Sequence, residues 1–354
     1  MLSENILAHV GSLLEDYRDL QPPVLDVVNQ APTALEALRM IHKSNPVLIR
    51  GFRPAKLDTE VDWDDADTYG TNQEITVAIT DDGLADSVRH LDTGSTSFVK
   101  PLEEILMFSD FSARLRARTA DEVVYLQSQN GNIYRTDDAN DSDSSPPELR
   151  HLSRLFERDI PWMKDAVASS AEAVNLWIGD NRSTTSLHHD PYENVYHVLS
   201  GSKMFILISP LEGFHLDQQF HPASTLRRSS SGHLVPVLDT PSSQIPWVQS
   251  TLFPPTIRPL RVTVQAGETL YLPSGWWHQV SQDAGPGGIA VAVNYWYPSE
   301  INAERYACER FIRRIAREAG MEGVLPVPGD EIGDVWAEGS SGSGEEWEPS
   351  EWGR

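Results

Sequence analysis

The sequence predicts a mainly β fold with flanking helices, in which short strands close into a barrel. Two observations support this fold class. Short apolar or alternating runs follow one another from residue 174 onward, and turns rich in Gly and Pro, such as Ser200-Gly-Ser202, separate them. Many short antiparallel strands are typical of a closed double sheet, the double-stranded β-helix of jelly-roll or cupin proteins. Strands are predicted at residues 174–178, 194–199, 203–208, 261–264, 269–272 and 289–297.

Residues 1–120 are predicted to form a region of helices and strands that packs on the barrel. Ser3 is placed to cap a first helix, which Pro22 and Pro23 end, and a second helix covers residues 33–42. Apolar or alternating runs predict further strands at residues 45–51, 74–79 and 122–127.

The barrel is predicted to cover residues 121–298, with a segment at 223–259, rich in Ser and Pro, inserted between two of its strands. The stretch at 136–147 carries four Asp residues among serines and predicts a solvated loop. Residues 299–320 predict a closing helix. Residues 321–354 are acidic and contain a Gly-Ser stretch, so a disordered tail is expected there.

The closing helix carries an apolar stripe formed by Phe311, Ile312 and Ile315. A terminal helix outside a closed barrel often has nothing in its own chain to cover such a stripe. We therefore predict a homodimer through residues 299–320. The alternative is that the stripe packs on the first helix at residues 7–14.

Composition limits the partners and the compartment. The chain has 52 acidic and 28 basic residues, a formal net charge of −24, which disfavours nucleic acid and favours a basic protein substrate. Cys308 is the single cysteine, so a reducing compartment is expected. The acidic N-terminal stretch lacks the pattern of a signal peptide, and no apolar run is long enough to span a membrane. We expect a cytoplasmic or nuclear protein.

The triplet His188-His-Asp190 and the distant His278 are the strongest functional signal. Residues on either side of a middle residue point the same way along a strand, so His188 and Asp190 can share a metal while His189 points elsewhere. Two imidazoles and one carboxylate on one face suit Fe(II) and leave other positions open, which predicts an oxygenase.

A structural interpretation of the same residues is also open. In that case His188 caps a loop, Asp190 begins a turn, and His278 packs beside Trp276 and Trp277. The setting favours the metal, because both ligand sets lie at the ends of predicted strands.

The sequence resembles the Jumonji-C hydroxylases, and among them the Jumonji-C domain-containing protein 7 group, over roughly residues 35–318. The barrel motifs that carry the resemblance are Asn175-Leu-Trp-Ile-Gly179, Thr185-Ser-Leu-His-His-Asp190, Tyr192-Glu-Asn194, Ser200-Gly-Ser-Lys203, Ala266-Gly-Glu268, Tyr271-Leu-Pro273, Trp277-His278 and Val293-Asn-Tyr-Trp296. Outside the barrel, the stretch from Thr80 to Arg89 and Ile245-Pro-Trp247 are also similar to that group. The resemblance does not explain the Asp-rich loop or the acidic tail.

The resemblance implies Fe(II) held by His188, Asp190 and His278, with 2-oxoglutarate as cosubstrate and O2 as oxidant. It further implies that Lys203 pairs with the far carboxylate of 2-oxoglutarate, a partner that a buried ammonium needs in any case. Thr185 and Tyr125 would donate hydroxyl hydrogen bonds to that carboxylate, and Asn194 and Asn294 would line the metal side of the pocket. A one-residue slip of the Tyr125 strand would turn its ring outward, and an exposed hairpin position is the other interpretation of Lys203.

The resemblance implies hydroxylation of a lysine side chain in a protein, with translation-associated GTP-binding proteins as the substrate class. Three alternatives stay open. They are a histone N-methyl-lysine demethylase, which would usually carry cysteine-rich zinc modules, a non-catalytic metal-binding cupin that serves as an interaction module, and a tRNA-modifying relative, which the net charge disfavours.

Overall fold

Two antiparallel sheets, each extended by strands from the N-terminal region, form the centre of the molecule. The computed structural model describes residues 2–21, 24–54, 61–63, 65–91, 94–129, 131–136, 146–249, 253–300 and 302–327. The predicted acidic loop at 137–143 and almost all of the predicted tail at 321–354 lie outside these residues.

Helices flank the sheets, and the strands of the N-terminal part are short. The α-helices are α1 (Leu2–Leu20), α2 (Ala34–Lys43), α3 (Phe108–Ala117), α4 (Pro161–Val167) and α5 (Ala303–Glu318). The N-terminal strands are β1 (Asp26–Val28), β2 (Val47–Ile49), β3 (Glu74–Thr80), β4 (Leu84–Ala85), β5 (Ser87–His90), β6 (Thr96–Lys100), β7 (Leu102–Met107), β8 (Val123–Tyr125) and β9 (Tyr134–Arg135). Within the described residues, no helix has the length and apolar character that crossing a lipid bilayer requires.

The remaining strands build the barrel and its inserted hairpins. They are β10 (Ala173–Gly179), β11 (Thr184–His188), β12 (Tyr192–Ser200), β13 (Ser202–Ile208), β14 (Gln218–Arg228), β15 (Leu234–Leu238), β16 (Gln244–Val248), β17 (Leu260–Gln265), β18 (Thr269–Leu272), β19 (Trp277–Asp283) and β20 (Ala290–Pro298). The major sheet has the order β1-β2-β18-β12-β20-β10-β9, and the minor sheet has the order β17-β13-β19-β11-β4. The fold is the predicted mainly β, jelly-roll or cupin architecture.

The two sheets pack face to face around a shared apolar core. Trp177 and Tyr196 of the major sheet belong to the same buried cluster as Phe205, Leu207 and Val262 of the minor sheet. The opposite face of the major sheet is apolar as well, because the N-terminal region and the segment between β9 and β10 cover it with side chains such as Phe111, Phe156 and Trp162. A sheet covered on both faces explains why its strands are nearly continuous apolar runs.

The Ser- and Pro-rich segment between β13 and β17 forms three strands, where the sequence predicted only an insertion. Strand β14 pairs with β15 and β16 in antiparallel fashion and with β6 in parallel fashion. Pro236 lies in β15 and Pro246 in β16, and each of these strands pairs with β14 alone. Proline is tolerated there because the edge of a sheet does not need its missing N–H group.

Helix α5 begins after Asn302, whose side chain accepts a hydrogen bond from the Arg305 N–H, and it ends at Glu318, inside the predicted range 299–320. Helix α1 contacts α5, as the alternative to the dimer expected. Ile312 is buried, whereas Phe311 remains 63% exposed. Helix α1 begins at Leu2 and so includes Ser3, the predicted cap. The homodimer stays a prediction.

Candidate active site

The three predicted ligands, His188, Asp190 and His278, form one compact group. One donor atom from each lies within 4.8 Å of the others. The Nε2 atom of His188 is 3.9 Å from Oδ1 of Asp190, and the Nε2 atom of His278 is 3.6 Å from Oδ2 of the same carboxylate. The two imidazole nitrogens therefore face one carboxylate, with room for an ion between them.

Strands β11 and β19 of the minor sheet position the two histidines. His188 is the last residue of β11 and lies directly opposite His278, the second residue of β19. The next pair along the two strands is Thr185 with Val280. Between these two pairs, two residues of β11 oppose a single residue of β19, so the pairing shifts by one residue. This β-bulge brings Thr185 and His188 to the same face although they are three positions apart, an arrangement that a regular strand forbids.

Backbone hydrogen bonds fix both imidazoles in the orientation that a metal ligand requires. The Nδ1 atom of His188 lies 2.8 Å from the Ser186 carbonyl oxygen, and Nδ1 of His278 lies 3.0 Å from the Trp276 carbonyl oxygen. A carbonyl only accepts, so each Nδ1 donates its proton and each Nε2 keeps its lone pair for a metal. Burial lowers the pKa of His278 to about 4, which holds this ring in its neutral form.

His189 points away from the group, as the alternation along the chain predicts. Its ring packs edge-on against Trp277, with ring centroids 4.5 Å apart. Burial lowers the pKa of His189 to about 4, so the side chain is a neutral part of the packing.

A cavity extends from the three ligands into the space between the sheets. Its lining includes Tyr125, Thr185, Asn194 and Asn294, four of the residues predicted to contact the cosubstrate. Tyr125 is buried at the end of β8, where it pairs with Ala78, so its ring faces inward.

Lys203 lies wholly buried next to Tyr125, one of the residues that line this cavity. Its Nζ atom donates a hydrogen bond of 3.2 Å to the Tyr125 hydroxyl and another to the side-chain oxygen of Gln282. Within the part of the chain that the structure describes, no carboxylate forms an ion pair with this ammonium, and burial lowers its pKa to about 7. A buried cationic group with neutral partners fits an anionic ligand that the protein does not itself supply.

The predicted amides belong to a buried chain of hydrogen bonds in the major sheet. The Asn294 amide nitrogen donates to Oδ1 of Asn194 at 3.1 Å, and Oδ1 of Asn294 accepts from the Trp177 indole at 2.8 Å and from Asn175 at 3.3 Å. These bonds fix the amide planes, so the amides present a set of polar groups with defined orientation beside the ligands.

Three residues of the site had no predicted role in it, namely Gln282, Trp177 and Trp247. Gln282 follows His278 by four positions on β19, and strand alternation would have placed both on one face if that strand had been recognised. Trp247 lies parallel to the His188 ring, at 6.3 Å between centroids and 6° between planes, although 59 residues separate them in the chain. Such a contact has no local signal.

Comparison with known proteins defines the class. The family described as Cupin-like domain matches residues 32–303 of the chain. JmjC domain-containing protein E of Dictyostelium discoideum is 30% identical over 302 residues, which cover 76% of this chain and 82% of that protein. The chain therefore belongs to the cupin-like domain family and, within it, to the Jumonji-C (JmjC) proteins.

Two further relatives carry more specific names. The human bifunctional peptidase and (3S)-lysyl hydroxylase JMJD7 is 29% identical over 340 residues, covering 91% of this chain and 100% of that protein. The lysine-specific demethylase JMJ32 of Arabidopsis thaliana is 35% identical over 229 residues, covering 59% of this chain and 62% of that protein.

Proposed function

We propose that the protein is an Fe(II)- and 2-oxoglutarate-dependent oxygenase that hydroxylates a lysine side chain of a protein substrate. The observation that carries the proposal is the group of three ligands at a cavity whose lining residue Tyr125 accepts a hydrogen bond from the buried ammonium of Lys203. A metal group alone occurs in many proteins, but a buried cation without a carboxylate partner indicates a second, anionic ligand.

His188, Asp190 and His278 would hold the iron, and the donor set fits this ion. Two neutral imidazoles and one carboxylate on one face leave coordination positions open for other ligands. When bound, the iron and its cosubstrate supply the activation of O2 that oxidation of a C–H bond requires.

The cavity residues would bind and orient the cosubstrate. Lys203 and the hydroxyl groups of Tyr125 and Thr185 would hold its far carboxylate, because together they offer one charged and two neutral donors. The buried rings of Trp177 and Phe205 exclude water from the same space. Asn194 and Asn294 would line the metal side with fixed amide groups.

The choice of lysine rests on similarity and on charge. The relative that covers nearly the whole chain is named a lysyl hydroxylase, and a net charge of −24 favours a basic protein partner. By the same resemblance we propose translation-associated GTP-binding proteins as the substrate class. The demethylase name of the Arabidopsis relative supports removal of an N-methyl group from lysine as the second candidate.

Mass spectrometry tests the proposal. Purified protein is incubated with Fe(II), 2-oxoglutarate and pools of lysine-containing and N-methyl-lysine-containing peptides, and succinate and peptide masses are followed. We expect succinate together with peptides that gain one oxygen atom. Loss of a methyl group instead would favour the demethylase, and absence of succinate with a protein that binds metal and 2-oxoglutarate would reject the oxygenase. The His188→Ala variant is the negative control.

A further inference from the structure

Asp86 stands out beside the metal ligands because its backbone is strained and its carboxylate has no partner. It lies between β4 and β5 with a φ of 53°. Ser44, Arg118 and Ala168, the other non-glycine residues of the described chain with positive φ, each end a helix, where a left-handed residue is common. Asp86 ends no helix, and strained residues of this kind cluster at ligand sites.

The strand pairing places Asp86 next to the ligand strand. Strand β4 runs parallel to β11, with Leu84 opposite Thr184 and Ala85 opposite Thr185. Asp86 therefore follows alongside Ser186, two residues before the ligand His188, and its carbonyl oxygen accepts a hydrogen bond from the Ser186 hydroxyl.

Asp86 differs from the two other acidic residues of the same turn. Asp81 and Asp82 form ion pairs of 2.6 Å and 2.8 Å with Arg89. Within the described residues, the half-buried carboxylate of Asp86 has neither an ion pair nor a hydrogen bond, and burial raises its pKa to about 6. Among the lysines and arginines of the described residues, Lys100 alone has a charge that acts on Asp86, and Lys100 is already paired with Asp239 at 2.7 Å.

Trp247 completes this side of the site. Its indole N–H donates a hydrogen bond of 3.1 Å to the same Ser186 hydroxyl, and its ring lies parallel to the His188 ring. Phe98 packs against Trp247 with centroids 4.7 Å apart. We call Asp86 and Trp247 the flank of His188. The flank combines an unpaired carboxylate with a half-buried aromatic face, which suits a side chain with a methylene stem and a cationic end.

We propose that Asp86 selects the substrate side chain by accepting hydrogen bonds from its ammonium group while Trp247 covers its methylene stem. The inference rests on the proposed function, because it assigns the lysine preference of that site to one residue. The turn that carries Asp86 is held rigid by Arg89 and by the Gly83 N–H, which donates to the Thr80 hydroxyl at 2.9 Å. A carboxylate held in place in this way loses little entropy when it binds.

Affinity selection tests the inference without turnover. The full chain, loaded with Mn(II) and 2-oxoglutarate, is offered a pool of decapeptides with one central lysine and random flanks, mixed with an equal pool that has norleucine at that position. Mass spectrometry of the retained peptides gives the ratio of lysine to norleucine. We expect the unmodified protein to favour lysine by about tenfold or more, and Asp86→Asn to bring the ratio close to one.

Two variants control the experiment. Asn tolerates the left-handed backbone at this position, and Asp86→Gly serves as a second neutral variant if the first is poorly folded. Glu103→Gln removes an exposed carboxylate whose charge also acts on Asp86, and it should keep the lysine preference. An unchanged ratio in a folded Asp86 variant, or no lysine preference in the unmodified protein, overturns the inference.

The same proteins are then assayed for succinate and hydroxylated peptide, which separates the two proposals. Lysine hydroxylation with an unchanged ratio in Asp86→Asn rejects the role of Asp86 and leaves the proposed function standing. An Asp86-dependent preference without succinate rejects the oxygenase and leaves a lysine-binding site.

Discussion

The cavity proposed to bind the cosubstrate and the flank of His188 both adjoin the same three residues, His188, Asp190 and His278, and are built differently. The cavity is lined mostly by barrel strands, and Lys203 beside it is wholly buried. The flank comes from the turn between β4 and β5 and from the inserted strand β16, and both of its residues are half-buried. The difference fits the two proposals, in which the barrel would supply the general chemistry and segments outside it would choose the substrate.

The largest expected effect falls on the ligands that both sides share. His188→Ala, Asp190→Ala and His278→Ala should each lower 2-oxoglutarate turnover by about 100-fold or more, because two remaining ligands hold Fe(II) poorly. Turnover is measured as succinate, and circular dichroism verifies the fold. His233→Ala, at an exposed histidine, is the control. Near-normal turnover in any of the three variants would show that the altered residue is not a ligand.

On the cavity side, Lys203→Met should weaken cosubstrate binding and stabilise the cosubstrate-free protein. The loss of a charge-assisted hydrogen bond corresponds to about 1.5–3 kcal/mol in binding free energy. The free protein gains thermal stability because a desolvated amine is replaced by an apolar chain of similar length. Titration of 2-oxoglutarate and thermal unfolding test both effects, with exposed Lys43→Met as the matched control. Unchanged cosubstrate affinity would mean that another cation binds the carboxylate.

A smaller effect on 2-oxoglutarate binding is expected from pH, and this effect changes gradually with pH. Burial lowers the pKa of Lys203 from 10.5 to about 7, so above about pH 7 the free protein carries a neutral amine there. Binding an anion favours the ammonium, so 2-oxoglutarate binding should take up a proton and weaken as the pH rises above 7. Calorimetry in buffers of different ionisation enthalpy measures the uptake, which Lys203→Met should abolish. Proton release on binding would contradict this.

The same pKa shift has the opposite consequence for folding. Between about pH 7 and 10.5, the unfolded chain binds a proton at Lys203 that the folded chain does not. The contribution of this group to the free energy of unfolding therefore rises with pH across that window.

The smallest effect on turnover is expected at α5, away from both sides of the site. We predict a symmetric homodimer through this helix, where Phe311 is 63% exposed. Phe311→Glu should give a monomer by light scattering at micromolar concentration, with turnover unchanged. A protein that is monomeric before the substitution would contradict the dimer.

The barrel strands with apolar runs were predictable, whereas the two strands that carry the ligands were not. Strand β11 is Thr-Thr-Ser-Leu-His and β19 is Trp-His-Gln-Val-Ser-Gln-Asp. Their inward side chains face a cavity and bind polar groups, so they lack the apolar alternation that identifies a strand. The functional residues themselves remove the structural signal, and only the motif and its resemblance to a family indicated the ligands.

The flank of His188 shows a second limit of prediction from the sequence. Asp86, Phe98 and Trp247 come from three separate segments, and strand pairing brings them together. The motifs around Asp86 and Trp247 were recognised as similar to the family, but nothing in either motif indicates that they meet. Long-range pairing of polar, Pro-containing strands such as β16 is decided by the whole fold rather than by local propensity.

The bulge between Thr185 and His188 sets the spacing at which these two residues share a face. Removing one residue, Ser186 or Leu187, would restore a regular ladder between β11 and β19. Thr185 and His188 would then stand two positions apart, and a regular strand also places such residues on one face. A homologue with a one-residue deletion at this place would therefore keep both side chains on the cavity face, although a comparison of motifs with fixed spacing would overlook it.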